Sequence, residues 1–198
     1  MSRYTVVMTG ASGSVYGLRL VEQLLTYGAE VTFIATPMGA EVMAYETGLK
    51  LPQSGARDAV LRFLEQRPDL PLRVVADDDM FDAAASGSSP TDGVIVCPCS
   101  MGFVGSVAAG LGADLAERAA DVALKEGRRL VLVPRETPLS LIHLRNLTTL
   151  AEAGAMIVPA MPAFYTRPTS LDDAVNFVVG KVLDVLGVEH DLYPRWRA

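Results

Sequence analysis

Apolar positions along the chain switch between two periods. Short runs rich in β-branched residues, at 5–8, 31–35, 73–75, 93–97, 130–133 and 156–158, read as strands. Stretches with helical spacing lie between and after them, at 15–25, 39–47, 58–66, 101–109, 115–126, 141–153 and 171–186. Alternation of this kind predicts βαβ units, and right-handed crossovers then place helices on both faces of a parallel sheet. The expected fold class is α/β, a three-layer flavodoxin-like or Rossmann-like sheet. One domain is expected over residues 1–198, ending in a tail at about 187–198.

The last helix has the clearest stripe. Val175, Val178, Val179, Val182, Leu183 and Leu186 recur at i, i+3, i+4, i+7, i+8 and i+11. Lys181 falls off the centre of that stripe, so its ammonium is either solvated or reaches a site shared with a neighbouring subunit.

Open α/β sheets bind ligands outside the carboxyl ends of their strands. Five segments fall there: 9–14, 36–38, 98–103, 134–138 and 159–167. The first, Gly10-Ala11-Ser12-Gly13-Ser14-Val15-Tyr16-Gly17, is a glycine-rich turn into a helix. Its free N–H groups favour an anionic or electron-rich ligand, though a purely structural turn reads the same way. The spacing is not that of the dinucleotide fingerprint. Cys97-Pro98-Cys99-Ser100-Met101 ends a strand with hydroxyl and backbone donors, which suit a flavin edge or phosphate as well as an ordinary N-cap.

Arg118 and Lys125 are two turns apart on one side of their helix, about 10 Å along its axis. Arg135 and Glu136 leave the end of a buried strand: a guanidinium forks onto phosphate, and a carboxylate beside it takes a proton. A surface ion pair is the competing reading. Pro159-Ala160-Met161-Pro162-Ala163-Phe164-Tyr165 is a stiff loop able to wall an apolar pocket, with a phenol at one end.

Composition narrows the classes. Half of the 198 residues are hydrophobic and the mean hydropathy is +0.29, which predicts one sizeable core and a homo-oligomer that covers apolar surface. The net charge of −6 and the lack of any long basic run argue against nucleic acid. No apolar run approaches the ~18–20 residues of a membrane span, and the expected location is the cytoplasm. The two cysteines, Cys97 and Cys99, are expected as small buried thiols facing the same way. With two histidines in the chain, no metal site is expected.

Taken together the segments resemble the flavin prenyltransferases (UbiX-type enzymes, formerly annotated aromatic acid decarboxylases), over nearly the whole chain. The marks are Thr9-Gly10-Ala11-Ser12-Gly13, Tyr45-Glu46-Thr47, Ala85-Ser86-Gly87-Ser88, Cys97-Pro98-Cys99-Ser100, Arg118 through Glu126, Arg135-Glu136-Thr137-Pro138-Leu139, Pro162-Ala163-Phe164-Tyr165 and Arg195-Trp196. The resemblance implies that dimethylallyl phosphate alkylates reduced FMN at N5 and a ring then closes at C6. The product, prenylated FMN, goes to a UbiD-type decarboxylase; no metal is needed, and the assembly is a dodecamer. Ala11, Ser12, Gly13, Thr36, Ser100, Met101, Gly102, Phe103 and Arg135 would contact FMN. Lys125, Tyr165 and Lys181 would hold the prenyl phosphate with Arg118 near, while Glu46 and Glu136 handle protons, assisted by Ser12.

The chain departs from the family pattern at four places. Lys181 stands where arginine is usual, and Thr36-Pro37 replaces Ser-Lys. Gly102-Phe103-Val104 replaces a Thr-Leu pair, and Gly112-Ala113-Asp114 a stretch with asparagine. Two other functions are compatible with the pattern. One is a non-catalytic FMN-binding homologue. The other is a flavin-dependent cysteine decarboxylase of the same fold, which requires an active-site histidine where this chain offers His143 and His190.

Overall fold

The computed structural model describes residues 1–196, so the last two residues of the expected tail lie outside the described residues. Six strands form one parallel sheet: β1 Arg3–Met8, β2 Glu30–Ala35, β3 Leu72–Ala76, β4 Gly93–Cys99, β5 Arg129–Pro134 and β6 Met156–Ile157. Their order is β3-β2-β1-β4-β5-β6, the doubly wound arrangement whose direction reverses between β1 and β4. Every element expected from the periodicity is present, with ends shifted by at most three residues and the last helix matching at both ends. A 3-10 turn at Ala83–Ala85, capped by Asp82, was not anticipated by the apolar pattern.

The helices are α1 Ser14–Thr26, α2 Pro37–Thr47, α3 Ala56–Phe63, α4 Met101–Ala108, α5 Leu115–Lys125, α6 Leu141–Glu152 and α7 Leu171–Leu186. Strand alternation divides the core. Val6, Met8, Phe33, Ile95 and Val131 face α1, α3 and α7, whereas Val7, Ile34, Val94, Val96 and Leu132 face α4, α5 and α6. These side chains are almost fully buried, each contributing about 1.5–3 kcal/mol relative to exposure. The α7 stripe read from the sequence is buried throughout, between a Ser170–Asp173 capping box and a left-handed Gly187.

One expectation is overturned. Cys97 joins the core under α1 and α7, while Cys99 joins the opposite core under α4 and α5. The register with β5 slips between Val96 and Cys99, around a proline with no N–H for the ladder, so the simple two-residue alternation fails. Both thiols are free and buried, and burial holds them protonated. Among the described residues no helix is long and apolar enough to cross a membrane.

Candidate active site

The loops after β1, β2, β4 and β5 meet over the point where the strand order reverses. Close packing there depends on missing side chains. A Cβ on Gly17 of α1 would lie 2.2 Å from the Cys97 carbonyl oxygen, and one on Gly39 of α2 would lie 2.3 Å from that of Met8. Thr9 stitches β1 to β4: its hydroxyl donates to the Pro98 carbonyl at 3.0 Å and accepts from the Ser100 N–H at 2.7 Å. Three helix N-termini therefore open on one rim, those of α1, α2 and α4.

Each N-terminus is used differently. Thr36 caps α2, its hydroxyl accepting from the Gly39 N–H at 3.1 Å, with Pro37 in the first turn where no donor is needed. Ser100 caps α4 by accepting from the Phe103 N–H at 3.2 Å. At α1 the expected ligand-ready amides are already engaged. The Glu46 carboxylate accepts from Gly13 N–H at 3.1 Å through both oxygens and from Ser14 N–H at 2.8 Å. Burial alone would raise the Glu46 pKa. The Ser12 hydroxyl and the N–H groups of Ser14 and Gly13 outweigh it, and the carboxyl lies below its ordinary range. Glu46 and Ser12 are thus brought together, with the glutamate fixed as an anion.

Arg135 follows β5 and reaches across the rim, its Nε donating to the Ser12 carbonyl at 2.9 Å. No other hydrogen bond engages its guanidinium among the described residues, and Arg135 and Glu136 do not pair with each other. Glu136 folds back onto the Thr137 N–H at 3.1 Å. Ala11 and Phe103 are buried beneath the loops, while Gly102 is exposed in the first turn of α4. A methyl on Gly102 would meet nothing nearer than the Ser100 hydroxyl at 4.0 Å. Beyond β6 the chain continues along β5 for two more bonds, Val158 N–H to Leu132 and Ala160 N–H to Pro134, which brings the Tyr165 loop to the same end of the sheet.

The remaining phosphate candidates are elsewhere. Arg118 is held by Asp121 at 2.6 Å and by the Ala85 carbonyl at 3.2 Å. Lys125 pairs with Glu126 at 2.5 Å beside Gly87, at the end of α5 that feeds the start of β5. Eleven residues of α5 span about 16 Å. Lys125 is therefore at the opposite end of the sheet from Arg135, and one chain does not bring these two cations together. Lys181 is half-exposed midway along α7 and pairs with Asp184 at 3.2 Å.

The rim suits a planar, phosphate-bearing ligand. It offers an open place at Gly102, the capped start of α4, a guanidinium with uncommitted donors, and exposed Met38 beside Gly10. A model of the Flavoprotein family matches residues 1–183. Flavin prenyltransferase UbiX of Halalkalibacterium halodurans is 47% identical over 193 residues, covering 98% of this chain and 92% of the relative. The chain belongs to the flavin prenyltransferases. Among solved structures, AnUbiX in complex with FMN and dimethylallyl pyrophosphate has a TM-score of 0.89 at 37% identity, over 100% of this chain and 98% of that one. A dodecameric FMN-dependent UbiX-like decarboxylase from Escherichia coli has a TM-score of 0.86 at 41% identity, over 99% of both chains.

Within this flavin prenyltransferase both histidines have structural partners. His143 accepts from the Ser140 N–H in the capping box of α6, and His190 faces Asp184. Among the described residues no cluster of three or more metal-ligating side chains occurs. The Glu46 contact with α1 escaped the sequence reading, because the partners are 32 and 33 positions apart.

Proposed function

We propose that the chain, as a single flavin-binding domain, transfers a dimethylallyl group from dimethylallyl phosphate to reduced FMN, giving prenylated FMN for a UbiD-type decarboxylase. The observation that carries this is the pairing, on one rim, of the open place at Gly102 with the uncommitted guanidinium of Arg135, in a chain of this family. Ala11, Ser12, Gly13, Thr36, Ser100, Met101, Gly102, Phe103 and Arg135 would hold FMN, which supplies the nucleophilic N5 and the ring carbon C6. The residues around it bind, exclude water and move protons. Arg135 forks onto phosphate while remaining tied to the Ser12 carbonyl. Glu136 is the base for the C6 proton, since its only bond is the easily exchanged one to Thr137. Glu46, held as an anion, orients the Ser12 hydroxyl and fixes the first turn of α1.

The departing phosphate needs cations to stabilise its charge. Tyr165 and Lys181 would supply one side, with Lys125 and Arg118 coming from a neighbouring copy. The distance between the ends of α5 supports such sharing for Lys125. So does the apolar surface left open by Leu141, Ile142 and Leu144 of α6 and by Met161 and Phe164, which suits a homo-oligomer, with a dodecamer as the expected size. The expected location is the cytoplasm.

The test mixes the protein with reduced FMN and dimethylallyl phosphate, then weighs the flavin. A gain of one C5 unit is expected. FMN recovered bound but unmodified would instead identify a flavin-binding homologue without activity.

A further inference from the structure

We infer that Asp184 is a positioning residue that docks the C-terminal tail back along α7, and that the docked tail holds Tyr165 and Lys181 in place for the prenyl phosphate. The inference rests on the function proposed above. Alongside its core stripe, α7 carries a second one, Phe177, Gly180, Lys181 and Asp184, at i, i+3, i+4 and i+7. After Gly187, at φ 74°, the chain reverses and returns along this second stripe.

Asp184 is where the return is fastened. Its Oδ1 meets His190 Nε2 at 3.1 Å and Arg195 at 2.6 Å; its Oδ2 accepts the Tyr193 hydroxyl at 2.5 Å and Lys181 Nζ at 3.2 Å. The His190 Nδ1 accepts the Leu192 N–H at 3.2 Å, which leaves the proton on Nε2 to donate to Asp184. Burial alone would raise the Asp184 pKa. The bonds from Tyr193, Arg195 and Lys181 outweigh it, and the group stays ionised well below the usual carboxylate range. Gly180 supplies the seat: a Cβ there would lie 2.6 Å from the Tyr193 ring and 2.7 Å from the His190 ring.

The docked tail then reaches the site loop. Tyr193 packs on Phe177 with centroids 4.9 Å apart. Tyr165 is gripped edge-on between Phe177 at 5.8 Å and Trp196 of the tail at 5.1 Å, its ring nearly perpendicular to both. Among the described residues no hydrogen bond fixes the Tyr165 hydroxyl, so these two rings define where the phenol stands. Lys181 makes the longest of the four bonds to Asp184. A phosphate dianion can draw that ammonium away while Arg195, Tyr193 and His190 keep the tail fastened.

Trp196 is the single tryptophan of the chain, so its fluorescence reports on docking without interference from another indole. The experiment compares FMN-loaded wild type with Asp184→Asn and Gly180→Ala. The second variant changes no charge and raises helix propensity, so α7 survives while the seat is filled. Trp196 is itself 65% exposed, so docking shows in the mobility of its indole: both variants are expected to lower the steady-state anisotropy of its fluorescence clearly below the wild-type value. They should raise the KM for dimethylallyl phosphate about tenfold, with kcat within about threefold and FMN affinity within about twofold of wild type. Trp196 released with KM unchanged would overturn the positioning role, and Trp196 held as in wild type in both variants would overturn the docking role. A wild type that holds Trp196 immobile yet transfers no prenyl group would refute the proposed function and this inference with it. An active wild type indistinguishable from its two variants would overturn this inference alone.

Discussion

Glu46 Oε2 accepts the Ser14 N–H at 2.8 Å, so the anion bound at the start of α1 is a carboxylate contributed by α2. The glycine-rich turn therefore works first as an intramolecular clasp between two helices that flank the rim. A ligand at this rim meets the Ser12 face of the turn, with its charge already set by Glu46.

Replacing Glu46 with Gln should cost about 1 kcal/mol at neutral pH, after screening by water at this exposed position. The sign follows from the lowered pKa. The charged form is favoured by folding, so its contribution is present above the ordinary carboxyl value of 4.5 and is lost as pH falls through the lower folded value. Urea unfolding at pH 7 and pH 3 should show a gap between wild type and variant that closes at the lower pH.

Glu136→Gln should leave FMN bound with unchanged affinity, because Glu136 is engaged only with Thr137. Flavin recovered from the variant should carry the prenyl unit without the fourth ring, and ring closure should slow by about 10²–10⁴-fold. Absorbance and mass spectra of the extracted flavin distinguish the two products. Unchanged ring closure would remove Glu136 from the chemistry.

Asp77 follows β3 and caps α5, accepting the Ala116 N–H at 2.9 Å and offering its carbonyl to Leu115. Burial raises its pKa to about 6, helped by Asp114, Glu117 and Asp78 and opposed by the Ala116 N–H. The folded state thus binds this proton more tightly than the unfolded state. Stability from this group falls as pH rises from about 4 to about 6, then levels off. Asp77→Asn keeps the acceptor and removes the titration. Its stability relative to wild type should rise across that window and stay constant above it.

Gly17→Ala should cost about 1–3 kcal/mol, since the new methyl meets a β4 backbone carbonyl at 2.2 Å and the Met8 side chain at 2.7 Å. Backbone yields less readily than a side-chain tip, so the 97–100 segment must shift. Thermal unfolding should show the loss, and FMN titration should show weaker binding that Glu136→Gln does not share.

The sheet and its helices were legible because each depends on neighbours a few positions apart. The β-branched runs and the Val175–Leu186 stripe carry their own period, and the glycines of the first segment announce a turn into a helix. Contacts between distant positions were not legible. Nothing local in Tyr45-Glu46-Thr47 says that Glu46 reaches Gly13, and the slip between Val96 and Cys99 reversed the expected facing of the two thiols. Lys125 was grouped with Tyr165 by resemblance, yet helix direction puts it at the far end of the sheet. Asp184 was not singled out in the sequence, because the tail that needs it lies six to eleven residues further on.

The two-residue strand β6 forms the outer margin of the sheet, and the chain that follows keeps only the Val158 and Ala160 bonds to β5 before leaving it. The cofactor side of the rim, by contrast, grows from interior strands whose backbones are paired on both flanks. The enclosure is thus part bedrock and part scaffolding. On the proposed assignment, length changes in the marginal stretch would reshape the room for the prenyl tail while the interior strands that carry the flavin loops keep both of their pairings.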